Sequence, residues 1–330
     1  MIIQARVLPI SLNHMPMPLP AELAPRLHGL CPLPQLGVIQ AQGEDAANFL
    51  HNQLTNDVLL LPLGQARLAA FCNAKGRMQA SLVLLKTTPE TVLLALPLDL
   101  LAQTLKRLSM FVLRAKVKLS DVTDQWQRVG LLGPSAQALL GDAPPWHAVQ
   151  KDGAHAVALY PAVLGETRVA RGFWLAPSGQ ARPEAPVLDA SLWSWATVLS
   201  GVPFVTQPLF EAFVPQMLNF ESVGGVNFKK GCYPGQEVVA RSQFRGTLKR
   251  RLALVHSPVP LVAGQEVFTV ADPEQPCGTV VQCAARPDGH GFDALVSGTL
   301  ESMQTGWRAG SAQGEALDIL PLPYALLDDI

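Results

Sequence analysis

NFKKGCYPGQEVVAR, running from Asn227 to Arg241, is the stretch on which the reading of this chain turns. Lys229 and Lys230 lead into Cys232, which follows Gly231 and precedes Tyr233, Pro234 and Gly235. The residues after it have the signature of a helix start, with Pro234 near the first helical position and Glu237 in the first turn. A helix N-terminus presents unpaired N–H groups and about half a positive charge. Those dipoles and the two lysine charges favour the thiolate, the form of cysteine that acts as nucleophile or metal ligand. Gly231 and Gly235 leave the backbone bare, so a flat ligand or a partner can approach closely. Cysteine is also among the residues most often buried, and a small packing thiol is the plain alternative for Cys232.

Charge is concentrated around this motif. Lys229, Lys230, Arg241, Arg245, Lys249, Arg250 and Arg251 set seven cations against Glu237 alone, in a chain of net charge −1. Such a cluster suits an anion: a carboxylate tail, a phosphate or RNA. A solvated surface with internal partners is the competing reading. Phe244 lies between Arg241 and Arg245, placed either to stack on a ring or to enter the core. One aromatic among so many cations is too sparse to mark a nucleic-acid module.

The bulk numbers exclude several classes. At 330 residues the chain is long enough for two or three domains. With 48% hydrophobic and 15% charged residues it is globular and not disordered. Its near-neutral charge excludes a polycation that coats nucleic acid. The five cysteines, Cys31, Cys72, Cys232, Cys277 and Cys283, are odd in number and contain no C-x2-C pair. They read as reduced thiols of a cytoplasmic protein, with no stably bound metal. The first twenty residues lack the charged start, long apolar run and cleavage site of a signal peptide. No apolar run approaches the ~18 residues of a membrane span.

Periodicity supplies the outline. QLGVIQAQG (Gln35–Gly43) reads as a strand, and Ala46, Phe49, Leu50 and Leu54 form a helical stripe after it. Ala66–Lys86 reads as a hairpin around Asn73-Ala74-Lys75-Gly76, with Gly76 free to take positive φ. ETVLLALP is a further strand, and Leu98–Leu113 is an amphipathic helix on Leu101, Leu105, Leu108 and Val112. AKVKLSDVT returns as a strand. The order β-α-β-β-α-β implies an α+β layer with helices on one face of an antiparallel sheet. A looser unit follows from about Gln127, and Leu188–Gly201 reads as a helix stopped by Gly201 and Pro203. From about Thr247 five short strand-like pieces (KRRLALVHS, GQEVFTV, CGTVVQCAA, FDALVSGTL and LDILPLP) suggest a small all-β barrel or sandwich.

The longer stretch from Phe213 to Arg250, FVPQMLNFESVGGVNFKKGCYPGQEVVARSQFRGTLKR, resembles the signature of the YgfZ-type folate-binding, tRNA-modifying proteins. These are relatives of the glycine-cleavage T-protein, an aminomethyltransferase. FLHNQLTNDV, FCNAKGRM and LDILPLPY extend the likeness from about Leu36 to the end of the chain. The resemblance implies a fold of two intertwined α+β units plus a C-terminal β-barrel, arranged as a ring around a channel. The expected division is 1–126 with 195–246, then 127–194, then 247–330. It implies a tetrahydrofolate-like ligand in the channel and support of iron–sulfur enzymes, notably tRNA methylthiotransferases, by a family that includes mitochondrial iron–sulfur assembly factors. The family's central cysteine falls on Cys232, beside Lys230; Gly231, Tyr233, Gly235, Gln236 and Glu237 match its neighbours. Lys229, Arg241 and Arg245 join them as expected cofactor-binding residues. Iron–sulfur enzymes or assembly proteins are the expected partners of a monomer, with tRNA contact through the basic face.

The chain departs from the T-protein pattern at two sites, the pair Ala80–Ser81 and Leu199. Ala80 and Ser81 stand where that enzyme has paired aspartates, so no carboxylate is present there to hold charge or move a proton. Leu199 stands where an acidic residue anchors the pterin, and leucine cannot accept a hydrogen bond from a pterin N–H. Aminomethyl transfer is therefore not expected. A folate-dependent one-carbon transferase, a direct tRNA-binding module and a thiol-redox protein are the alternatives to an iron–sulfur accessory factor.

Overall fold

A computed structural model describes residue 23, residues 26–244 and residues 248–327 of the chain. The reading of the chain's first twenty residues and the expected site residue Arg245 lie outside the described residues.

The first sheet is built from β2 (Leu36–Gln42), β3 (Ala66–Cys72), β4 (Met78–Thr88), β5 (Thr91–Pro97) and β6 (Lys118–Asp121). They pair antiparallel in the order β3-β4-β5-β2-β6. Helix α1 (Ala46–His51) and helix α2 (Leu98–Ser109) pack on this sheet. The two strands of the hairpin and ETVLLALP are the three strands that lie between the helices, one more than the order β-α-β-β-α-β counts. The β3–β4 turn is the predicted one, with Gly76 at φ 70°. The Asn73 side chain accepts from the backbone N–H groups of Lys75 and Arg77 at 2.8 and 3.0 Å, which closes the loop on itself. Helix α2 stops at Ser109, short of the predicted end, and leaves Met110, Phe111 and Leu113 exposed. Val112, the last residue of the predicted stripe, packs against the core from beyond the helix end.

The second sheet has the order β1-β7-β10-β9-β8, from β1 (Gly29–Pro32), β7 (Trp126–Leu132), β8 (Ala148–Lys151), β9 (Ala154–Leu164) and β10 (Thr167–Pro177). Helix α3 (Pro134–Leu140) covers one face. The chain thus contributes β1 to the second sheet before it builds the first. After Pro177 it returns: the Glu211 N–H donates to Met78 O at 2.9 Å and the Met78 N–H to Phe213 O at 2.8 Å, so a late segment borders β4. This exchange of segments intertwines the two α+β units.

Helix α4 (Ala190–Leu199) begins at Asp189, whose side chain accepts from the Ser191 N–H, and Gly201 follows its end at φ 68°. It packs against β9 and, across the junction, against the barrel. The barrel closes through β11 (Arg250–Ser257), β12 (Glu266–Phe268), β13 (Gly278–Ala285), β14 (Phe292–Thr299), β15 (Trp307–Ala309) and β16 (Ala316–Leu320). Strand β15, at three residues, is too short to show a period and is absent from the five pieces read in the sequence. Polar contacts key the barrel to the rest: the Trp195 indole donates to Asp293 at 2.7 Å, the Ser297 hydroxyl to Met217 O at 2.8 Å, and the Tyr324 hydroxyl to Gly201 O at 2.7 Å. Arg251 and Glu221 form a buried ion pair at the same seam. One continuous apolar core runs through both α+β units and takes in Leu252, Leu254, Val281 and Leu295 of the barrel.

Candidate functional site

The three stretches FLHNQLTNDV, FCNAKGRM and KGCYPGQE, far apart in the chain, meet in one place. The Thr55 hydroxyl donates to Gly225 O at 2.6 Å, the Asn56 amide to Gly224 O at 2.7 Å, and the Asn227 N–H to Thr55 O at 2.9 Å. These contacts bind the approach to the motif against the segment that follows α1. The Lys230 ammonium then donates to the His51 and Leu54 carbonyls, the latter at 2.9 Å. His51 is the last residue of α1, so Lys230 satisfies a carbonyl that the helix end leaves without a partner, together with the Leu54 carbonyl just beyond it, and sits at the negative end of the helix dipole. The same ammonium lies 4.6 Å from the centre of the Tyr233 ring. Burial pulls Lys230 down to about 8, against the opposing pull of Asp57 and Cys232. Burial likewise pushes the Tyr233 phenol up.

Gly235 completes the docking. It has φ 81°, and a Cβ there would sit 2.4 Å from Asn73 O and 2.6 Å from Gly76 N, both backbone atoms. Only glycine permits the motif to lie this close to the β3–β4 turn. Helix α5 (Gln236–Phe244) follows directly, with Pro234 two residues before it and Glu237 in its first turn. The Gln216 side chain donates to Val239 O at 2.7 Å and holds the helix to the core.

The result is a loop fixed at Lys230, Tyr233 and Gly235 that presents Gly231 and Cys232 to solvent. Cys232 is the exposed thiol among the five cysteines; Cys31 and Cys72 are buried, and Cys277 and Cys283 are partly covered. Burial raises all four of these others. His51 faces the loop from below. Its Nδ1 is 3.2 Å from an Asp57 carboxylate oxygen, and its Nε2 lies 3.4 Å from where a Cβ at Gly231 would stand. Spacing alone did not reveal this histidine, because six residues separate it from Asp57 and 181 from Cys232.

The six described cations of this cluster do not make one face. Lys230 and Arg251 are buried and committed, to carbonyls and to Glu221 respectively. Arg241 is exposed and paired with Glu237 at 2.5 Å, one turn back on α5. Lys229 and Lys249 are exposed, and Arg250 is half-buried. Phe244 is exposed, with its ring edge-on to Phe228 at 5.3 Å.

A second feature lies apart from the motif. Where the two sheets, α4 and the barrel come together there is a cavity of about 710 Å³. None of residues 229–241 lines it. Leu33, Val83, Phe173, Phe204 and Leu261 give it an apolar wall, and Trp193, Thr197, Asp99 and Arg171 contribute polar atoms. Burial pulls the Arg171 guanidinium down to about 9, which leaves it charged at neutral pH. Sequence reasoning missed Arg171, although a charged residue in the middle of the apolar strand VARGFWLAP was a visible signal. Ser81 is buried near the same region and its hydroxyl accepts from the Val205 N–H at 2.8 Å, a backbone-holding role. Leu199 is buried and does not line the cavity. Among the described residues no group of three or more His, Cys, Asp or Glu is placed to hold a metal ion, and no helix is long and apolar enough to cross a membrane.

Two intertwined α+β units with a closed C-terminal barrel are the architecture of the glycine-cleavage T-protein. The aminomethyltransferase T of the Bartonella henselae glycine cleavage system superposes with a TM-score of 0.63, over 93% of this chain and 89% of that one, at 17% identity. Residues 26–162 match the GCVT N-terminal domain family. Within that architecture the chain is similar over nearly its full length to the YgfZ proteins. The tRNA-modifying protein YgfZ of Edwardsiella ictaluri is 28% identical, across 96% of this chain and 95% of its own length. That of Photorhabdus laumondii is 27% identical, across 91% and 93%. An uncharacterised protein of Haemophilus influenzae is 32% identical over 221 residues, 67% of this chain and 70% of that protein.

Proposed function

We propose that this chain is an accessory factor in tRNA modification that supports iron–sulfur enzymes such as tRNA methylthiotransferases, works through Cys232, and holds a tetrahydrofolate in the junction cavity. The observation that carries the reading is the exposed thiol on a loop pinned by Lys230 and Gly235, within a chain similar over nearly its full length to YgfZ proteins. A rigid loop presents the sulfur to a macromolecular partner at little ordering cost. Lys229, Gly231 and the first turn of α5, with Gln236 and Glu237, border the thiol and form the contact surface for that partner. Arg241, exposed on the same helix, extends it. A cluster in transit through this site takes its remaining ligands from the client, because one cysteine is too few to hold it alone.

The cavity suits a folate in size and lining. Sites for ligands of this size span about 300–1,000 Å³ and are mostly apolar with a few polar groups. Phe173 and Phe204 line this cavity with aromatic rings, and Asp99 and Arg171 offer an acceptor and a donor. When bound, tetrahydrofolate would supply one-carbon chemistry; the residues of this chain bind and shield it. With Ala80 and Ser81 in place of the paired aspartates, the reading predicts no aminomethyl transfer.

The test is complementation of a bacterial strain that lacks its own YgfZ, read as the methylthiolated fraction of tRNA. The wild-type chain restores modification and Cys232→Ser does not, at equal protein level. Full restoration by Cys232→Ser refutes the role of the thiol.

A further inference from the structure

Arg171 stands in the middle of β10 with its side chain 4% exposed. Its Nη2 donates to the Thr197 hydroxyl at 2.7 Å and its Nη1 to Tyr160 O at 3.1 Å. The guanidinium carbon lies 4.8 Å from the centre of the Trp193 ring. The Thr197 hydroxyl is held in turn, donating to Trp193 O at 2.9 Å. Neutral oxygens and an aromatic face are therefore its whole company among the described residues: no carboxylate forms an ion pair with it, and its Nε–H has no acceptor. The carboxylate on the cavity lining, Asp99, accepts from the Gln207 N–H at 2.8 Å and does not pair with Arg171.

A buried cation without a counter-ion is among the more destabilising features a core can carry. Native structures keep such groups paired, and an orphan beside a cavity marks a missing partner. Of the acids beside α4, Asp189 caps the exposed start of that helix and Asp293 is taken by the Trp195 indole and His256, so neither pairs with Arg171. The cavity that Arg171 lines is otherwise walled by side chains such as Leu33, Phe173, Phe204 and Leu261.

We propose that the junction cavity is a receptor for apolar or aromatic monoanions, with Arg171 as the counter-ion. An oxyanion oxygen (of a carboxylate, sulfonate or phosphate) takes an N–H that the guanidinium leaves free, since each Nη has engaged one of its two N–H bonds and the Nε–H has no acceptor. The apolar body of the ligand fills the space lined by Leu33, Phe173, Phe204 and Leu261. The sign of this charge is opposite to that of an acidic pterin anchor, so the negative end of the ligand and not its N–H edge lies deepest. The inference rests on the proposed use of the cavity as a ligand site, and it holds whether or not the ligand carries a pterin.

The experiment compares two dyes of the same aromatic body in the full-length protein: 8-anilinonaphthalene-1-sulfonate and its neutral analogue N-phenyl-1-naphthylamine. The wild-type protein binds the sulfonate about tenfold or more tightly than the neutral dye, the worth of a charge-assisted hydrogen bond made in a dry site. Arg171→Met removes that preference and leaves the neutral dye's affinity within about twofold, since the apolar wall is unchanged. Equal affinities in the wild type, or an undiminished preference in Arg171→Met, overturn the proposal. A second readout needs no variant. Cys283 lines the cavity and Cys232 does not, so saturating sulfonate dye slows alkylation of Cys283 several-fold and leaves Cys232 unchanged. An unaltered Cys283 rate refutes the location. Tetrahydrofolate added as competitor separates the two readings: if it fails to displace the dye while the charge preference stands, the folate assignment falls and the monoanion receptor remains.

Discussion

Replacing Lys230 by methionine keeps most of the apolar stem of the side chain and removes its ammonium group. The wild-type ammonium serves the His51 and Leu54 carbonyls. Each buried carbonyl left without a donor costs about 1–3 kcal/mol. Two such losses sum to about 2–6 kcal/mol, and relief from burying a charge returns part of this, so about 2–4 kcal/mol is expected. The pH dependence gives an independent check. In the folded protein Lys230 is lowered to about 8, against 10.5 ordinarily. Below about 8 both folded and unfolded chains carry the proton and the group adds no slope. Between about 8 and 10.5 the unfolded chain binds a proton that the folded chain has released, so stability rises with pH. The neutral amine still donates two N–H groups to the two carbonyls. The stability difference between wild type and Lys230→Met, from urea unfolding at pH 7 and pH 10, therefore widens at the higher pH. A Lys230→Met protein within about 0.5 kcal/mol of wild type, or a difference that narrows as pH rises, refutes the assignment of Lys230 as the clamp of the motif loop.

Three further outcomes follow from the same geometry. Gly235→Ala combines a positive φ, at about 1–2 kcal/mol, with backbone overlap at Asn73 and Gly76, at about 1–3 kcal/mol; a urea midpoint equal to wild type would contradict the close docking. Timed alkylation followed by mass spectrometry should label Cys232 first, Cys277 and Cys283 more slowly, and Cys31 and Cys72 last, in the order of their exposure; Cys72 reacting as fast as Cys232 would mean that the loop is not the accessible site. Glu221→Gln leaves Arg251 buried without its partner and should destabilise the barrel seam by about 3–5 kcal/mol, whereas Glu237→Gln, which touches only the exposed Arg241 pair, should change stability by less than about 1 kcal/mol.

Local signals account for the parts that were legible. The Asn73–Gly76 turn is dictated by residues within four positions of one another, and α4 by its cap and its terminating glycine. The barrel strands announced themselves through turn residues at regular spacing, apart from Trp307–Ala309. Gly235 was legible as a residue that brings backbone close to something, though not as one that meets the β3–β4 turn. Lys230 read as a charge available to Cys232, and its commitment to the end of α1 depends on a contact across 176 residues. The run of cations read as a face because adjacent residues share a neighbourhood in sequence; in the fold, Arg251 turns inward to Glu221 while Lys249 stays in solvent.

The sequence by itself determined the elements, the presence of an unusual thiol motif and its kinship, because propensity, turn chemistry and periodicity act over a few residues. Tertiary structure alone decided which charges are internal, that three distant stretches close around one loop, and that an unpaired arginine borders a cavity at the junction of three bodies. Those outcomes depend on desolvation, which acts on a group only once segments far apart in the chain have excluded water from around it.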